Sequence, residues 1–290
     1  KSAYDFCKMT KQVSEIEKNP ALYLGTILGE LALEGKDKVT FFMSKSLLPV
    51  GWWLEQVIAE STGKEGKGIL PIEGEDFVKP SAYGSDRVFV FMKLKGDPSG
   101  KLKQQARLLQ KAGFPVLEFE WPTTASMGAE MMRWQIATAV ASSVLAINPF
   151  DEPNVKESKE NTGRLLSELE RTGKFHDHKQ NEFLFESLFS NKKSGGYIAL
   201  LIYTERSVKM IKAFQPVRKK LMTAFKMPVL IGFGPRYLHS IGQFYKGGPA
   251  KGIFISFVMQ DSKNIPVPGA TYNFSQLKTA QALGDIAALE

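Results

Sequence analysis

An α/β fold with a parallel sheet covered by helices on both faces is what this sequence predicts. Three observations carry that expectation. Short β-branched and aromatic runs alternate with longer segments of helical spacing. The helical segments open and close on residues suited to helix ends. And 290 residues with 43% hydrophobic content can bury a substantial core.

The elements follow in order. "NPALYLGTILGELALEG" opens on Asn-Pro and closes on Gly35, predicting a helix from about Pro20 to Glu34. "KVTFFMS" reads as a strand and "LPVGWWLEQVIAE" as a helix. Then come the strand "RVFVFMKL", the helix "SGKLKQQARLLQKAG", the strand "PVLEFEW" and the long buried helix "GAEMMRWQIATAVASSVLA". The loop "INPFDEPN" leads into the helix "VKESKENTGRLLSELERTG". Such alternation implies a three-layer αβα unit, assigned to residues 1–169.

The polar stretch "GKFHDHKQNEF" has no clean period and is read as a linker. A smaller α/β unit is expected over residues 170–290. Its strands are "GYIALLIYT", "MPVLIGFG" and "GIFISFV"; its helices are "ERSVKMIKAFQPVRKKLMTAF" and "FSQLKTAQALGDIAALE".

Composition narrows the function. No apolar run approaches the roughly 18–20 residues of a membrane-spanning helix, and the first residues lack the apolar stretch of a signal peptide, so a cytoplasmic protein away from membranes is expected. The single cysteine, Cys7, cannot form an intrachain disulfide and is read as an inert apolar residue. No Cys/His spacing suits structural zinc, and His176 and His178 are read as exposed linker residues. The net charge of +8 is spread along the chain, with no nucleic-acid-binding signature. A small phosphorylated ligand accounts for it.

Glu60 ends an apolar helix and faces a loop rich in Gly, Ser, Thr and Lys, a setting that raises a carboxylate toward the range of a general base. An ordinary helix-end glutamate is the other reading. Lys159, taken without its motif, reads as a solvent-facing lysine on the first turns of a helix. Ser44 and Ser46, in the strand-to-helix loop "MSKS", are candidate phosphate ligands. "GPRYLHSIGQFYKGGP" gathers Arg236, His239, Gln243 and Lys246 between glycines, with His239 the candidate for anion binding or acid/base work.

Two stretches shift the balance. "AESTGKEGKG" is similar to the Glu-Ser-x-Gly-Lys segment of glucose-6-phosphate isomerases, and "NPFDEPNVKESK" resembles that family's Phe-Asp-Gln-x-Gly-Val-Glu-x-x-Lys signature through Phe150, Asp151, Val155 and Lys159. The departures are Glu152 for Gln, Asn154 for Gly and Lys156 for Glu. The 234–249 segment and "FSQLKTAQALGD" resemble the C-terminal part of bifunctional transaldolase/glucose-6-phosphate isomerases.

The resemblance implies a sugar isomerase (SIS) domain as the first unit, interconverting glucose 6-phosphate and fructose 6-phosphate through a cis-enediol, with no metal or organic cofactor. It implies Glu60 as the base and Lys159 as the residue of ring opening and charge stabilisation, with Ser61, Thr62, Gly63 and Lys64 against the substrate. Arg87 falls nearest the position of the family's ring-opening histidine. Because a guanidinium is a poor proton shuttle, Arg87 is expected to bind substrate hydroxyls instead, with water or Lys159 as the alternatives that assist ring opening. A homodimer is implied too, as are a first SIS half and a transaldolase domain upstream on the natural chain. A phosphosugar-binding module without turnover is the alternative.

Overall fold

The computed structural model describes residues 18–175, 189–190 and 193–289. Helix α1 (Pro20–Leu33) begins where the Asn19 side chain accepts hydrogen bonds from the backbone N–H of Ala21 and Leu22, and Pro20 occupies the first turn. The chain then leaves the helix at Gly35, whose φ of 82° suits a residue without Cβ.

Four parallel strands form the first sheet: β1 (Lys38–Met43), β2 (Leu70–Ile72), β3 (Arg87–Leu94) and β4 (Val116–Trp121), in the order β2-β1-β3-β4. Lys38 aligns with Leu70 on one side and Arg87 on the other, and Phe89 aligns with Val116. Strand β2 has no counterpart among the strands read from the sequence. It is three residues long with Pro71 at its centre, and an edge strand can accommodate the missing N–H.

Helix α2 (Val50–Thr62) connects β1 to β2, helix α3 (Gly100–Lys111) connects β3 to β4, and helix α4 (Met127–Val144) follows β4. Helix α5 (Val155–Thr172) follows. The second sheet is also parallel, with β5 (Tyr197–Tyr203) between β6 (Val229–Gly234) and β7 (Gly252–Val258). It carries helices α6 (Val208–Phe225), α7 (Gly242–Gly247) and α8 (Phe274–Leu289). The α/β class with helix-covered parallel sheets is the one the alternation implies.

The two sheets share their hydrophobic interior. Phe42, Phe89 and Phe91 of the first sheet cluster with Ile198, Leu200 and Val229 of the second. Leu70 and Ile72 likewise cluster with Tyr197, Ala199 and Leu201. Arg218 of α6, 4% exposed, ties the sheets together: its Nε donates to Val229 O (2.6 Å) and its Nη2 to Glu73 O (2.8 Å). A buried guanidinium needs such acceptors, and the carbonyls at the ends of β2 and β6 supply them. Among the described residues no helix is long and apolar enough to cross a membrane.

Helices α1 and α4 approach through glycines. A Cβ at Gly25 would lie 2.4 Å from Ala137 O, and one at Gly29 would lie 2.7 Å from Val144 Cβ. Gly25→Ala is therefore expected to destabilise the fold by about 1–3 kcal/mol, since the neighbouring atoms include backbone. Gly163→Ala, on α5 with open space around it, is expected to stabilise by about 0.5–1 kcal/mol. Urea denaturation of both variants checks the contrast.

Candidate active site

Glu60 lies in the last turn of α2, half-buried, where Gln56 Nε2 donates to its Oε2 (3.1 Å) from one turn earlier. Burial pushes its carboxyl up to about 7, and a hydrogen bond with Glu152 adds to the rise. Gln56 and the charge of Lys64 oppose it. A neighbouring carboxyl disfavours the charged form of Glu60. Glu152 is thus a member of this site, standing where the sequence departs from the family signature.

The loop after Glu60 is tied down internally. Thr62 is buried; its hydroxyl donates to Ile58 O (2.7 Å) and accepts from Ile69 N–H (2.9 Å), which closes the loop onto β2. Lys64, also buried, donates to Asn148 O (2.8 Å) and pairs with Asp151 at 3.0 Å. Lys67 donates to Leu145 O (2.9 Å). Thr62 and Lys64, expected against substrate, therefore spend their polar atoms on the fold, because buried donors require fixed acceptors. Gly63 is buried against α7, where a Cβ would come 2.3 Å from Phe244 Cα. Ser61, half-buried beside Glu60, has no such lock among the described residues.

Gln243 joins three distant segments. Its Nε2 donates to Gly63 O and to Asn154 Oδ1, both at 2.9 Å, and its Oε1 accepts from Asn154 N–H (3.2 Å). A Cβ at Gly247 would strike these atoms at 2.6–2.7 Å, so the close approach depends on glycine there. The Glu60 loop, the 147–154 loop and the 236–248 segment thereby converge.

From Asn154 the chain enters α5, which carries Lys159. Lys159 and His239 line one cavity of about 200 Å³, together with Ser158, Thr162, Lys246 and Gln281. Both are exposed at its mouth. Glu60 does not line this cavity; it stands at the neighbouring loop junction. Behind the cavity wall Asp285, fully buried, accepts from Lys246 Nζ (2.7 Å), Ser158 Oγ (3.2 Å) and Tyr237 Oη.

Three expectations are corrected by placement. Arg87 is 1% exposed, with Nε on Thr40 Oγ1 (3.0 Å) and Nη2 against the buried Glu75, and its guanidinium lies 5.1 Å from the Tyr83 ring centre; it cannot reach substrate hydroxyls. Ser44 is buried and accepts from Leu94 N–H (3.0 Å). Ser46 donates through N–H and Oγ to the Asp97 carboxylate, at 3.0 and 2.9 Å. The "MSKS" loop does receive an anion, but that anion is the protein's own Asp97, held below the usual carboxylate range by Ser44 and Ser46. Cys7, His176 and His178 lie outside the described residues.

Nothing in the sequence pattern signals Glu55. This buried carboxylate accepts from Ser240 Oγ (2.9 Å) and lies 3.9 Å from Arg236. Burial, with Glu73 adding, pushes it up to about 7. Beside it Arg206 stacks 3.5 Å from the Trp52 ring centre. The pair Glu55–Ser240 anchors the turn that carries His239.

No protein-family model matches the chain. It is 30% identical over 192 residues to a glucose-6-phosphate isomerase of Leptospira interrogans serovar Lai, covering 53% of this chain and 43% of that protein. It is 26% identical over 218 residues to one of Leptospira biflexa serovar Patoc, covering 62% of this chain and 47% of that protein. The chain thus spans less than half the length of these curated relatives. Among solved structures, a hypothetical protein from Thermus thermophilus overlaps 99% of this chain and 79% of its own, at 10% identity and a TM-score of 0.31.

A raised carboxyl binds more protons in the folded state, so Glu55 adds stability below about pH 4.5 that is lost as pH rises to about 7. Glu55→Gln keeps an acceptor for Ser240 and removes the ionisation. It is expected to match the unaltered protein near pH 4.5 and exceed its stability at pH 8, by at most about 3 kcal/mol. Urea midpoints at the two pH values measure this; an equal offset at both would show that Glu55 does not ionise there.

Proposed function

We propose that this chain is the second half of a glucose-6-phosphate isomerase, with Glu60 as the base that moves a proton between C2 and C1 of the open-chain sugar phosphate. One observation carries the reading: Glu60 stands half-buried in the last turn of α2, beside Gln56 and Glu152, a setting that pushes its carboxyl up to about 7. A base so poised is available at physiological pH and returns its proton with little cost.

In the forward direction the Glu60 carboxylate takes the C2 proton of the aldose. The C–H electron pair becomes the C1–C2 double bond, and the carbonyl oxygen gains the negative charge and then a proton. Glu60 returns its proton at C1 while the C2 hydroxyl gives up its own, leaving the ketose. Lys159, at the mouth of the neighbouring cavity, supplies a cation for the developing oxyanion. His239 lines the same cavity and replaces Arg87 as the candidate for ring opening, because an imidazole can both give and take a proton, whereas a guanidinium does not release its own.

The relatives' names support this assignment, as do the two motifs, whose loops meet at Gln243. Because the chain spans less than half of those relatives, the reading includes an upstream SIS half that completes the phosphate site. The transaldolase domain upstream, a cytoplasmic location, the boundary near residue 169 and a homodimer belong to the same proposal.

A coupled assay of fructose 6-phosphate conversion, on this chain and on the longer natural chain, tests it. Glu60→Gln is expected to lower kcat by about 10²–10⁴. Activity should rise with pH through about 7 as Glu60 ionises, and Glu152→Gln should move that rise to lower pH by removing the neighbouring acid. Unchanged turnover in Glu60→Gln would overturn the assignment. Sugar-phosphate binding without turnover in the longer chain would support a non-catalytic phosphosugar-binding module instead.

A further inference from the structure

Lys246 sits in α7 with a side chain only 4% exposed, against Asp285 of α8, which is fully buried. Lysines ordinarily send the ammonium to solvent along an apolar stem. Here the ammonium is folded inward, lines the cavity that holds Lys159 and His239, and meets the carboxylate at 2.7 Å.

Local packing dictates where Asp285 stands. Gly284 lets α8 press against α5: a Cβ there would lie 2.8 Å from Thr162 N, and Asn161 Nδ2 donates to Gly284 O (3.2 Å). The next residue, Asp285, is thereby brought to Ser158 of α5, to Tyr237 before α7 and to Lys246. Tyr237 Oη is in turn hydrogen-bonded to Tyr203 Oη at 2.9 Å. Both carboxylate oxygens are thus occupied by donors from the surrounding wall. An ammonium carries three protons, and the Asp285 bond accounts for one of them.

A buried ion pair contributes little stability over a well-packed apolar pair of similar volume. The placement of this one at a cavity wall beside Lys159 therefore asks for a use. We propose that Lys246, held by Asp285 as its positioning residue, is a second cation of the substrate cavity and faces the anionic oxygen that develops on the sugar during proton transfer. This inference rests on the reading that the cavity takes an open-chain phosphosugar. Gly247, next to Lys246, accepts from Gly66 N–H of the loop after Glu60 (2.9 Å), which sets this cavity wall beside that loop. No bond to Lys246 forms or breaks; its charge lowers the energy of the oxyanion as the C2 proton moves to Glu60.

The test uses the longest natural chain carrying these residues. Lys246→Met is expected to lower kcat at least about tenfold while KM stays within about threefold, because the oxyanion exists only after the proton has moved. Asp285→Asn should lower kcat in the same direction, and the double variant should be no worse than Lys246→Met alone. Should Lys246→Met fail to fold by circular dichroism, the neutral pair Lys246→Gln with Asp285→Asn removes both charges at similar volume and is assayed instead. A folded variant with kcat within about twofold of the unaltered protein overturns the proposal.

If the unaltered protein itself shows no turnover, the isomerase reading fails separately. Calorimetry with arabinonate 5-phosphate, whose carboxylate imitates the anionic enediolate, then decides. Affinity at least about tenfold weaker in the variant, with inorganic phosphate binding unchanged, supports an anion-facing Lys246. Equal affinity, or no binding to the unaltered protein, overturns it.

Discussion

The side-chain amide of Gln243 is the point on which the candidate site depends. It contacts Gly63 and Asn154, residues 180 and 89 positions away, through both its donor and its acceptor. An amide is suited to this, since one planar group can satisfy a carbonyl, a side-chain oxygen and a backbone N–H together. Around it the backbones come so close that Gly63 and Gly247 have no room for a Cβ. The spacing between the Glu60 loop and the segment leading to Lys159 is therefore set by a rigid junction. Neither loop's own conformation sets it.

Burial then decides what the charged groups in this region do. Lys64, Arg87 and Arg218 are enclosed, and each is bound to fixed acceptors within the fold. Desolvation of an unpaired ion is costly, so enclosed cations become part of the framework. Glu60 and Glu55 follow the other course and rise to about 7. Glu55 is locked to Ser240, while Glu60 keeps a half-exposed position beside another carboxyl. That difference in access leaves Glu55 an acid of the framework and Glu60 an acid with an open side.

The cavity of Lys159 and His239 draws on both ends of the chain's order. Helix α5, assigned from sequence to the end of the first unit, packs on α8 near the last described residue. Residues of α8 reach its wall through Gln281 and the Asp285 network. The hydrophobic clusters show the same sharing, since β2 packs with β5 and strands of both sheets meet in a common interior.

Much of the secondary structure was legible in the sequence because it follows from local rules. The cap at Asn19, the aromatic and β-branched strands, and the helical spacing of α2 and α5 each express short-range physics. Strand β2 was not legible, since "LPI" has neither length nor pattern and is ordered by its pairing with β1. The two motifs singled out Glu60 and Lys159 as residue types in sequence, and nothing local could say which neighbouring polar groups face outward. Arg87, Ser44 and Ser46 read as ligands because their side chains bind anions or hydroxyls; the fold supplied Glu75, Thr40, Asp97 and the Leu94 N–H as their partners. Glu152, Glu55 and Asp285 acquired their roles only from long-range contacts. By itself the sequence determined the α/β alternation and the chemistry on offer; only the tertiary structure decided which groups are enclosed and paired, because burial and partner geometry are properties of residues far apart in the chain.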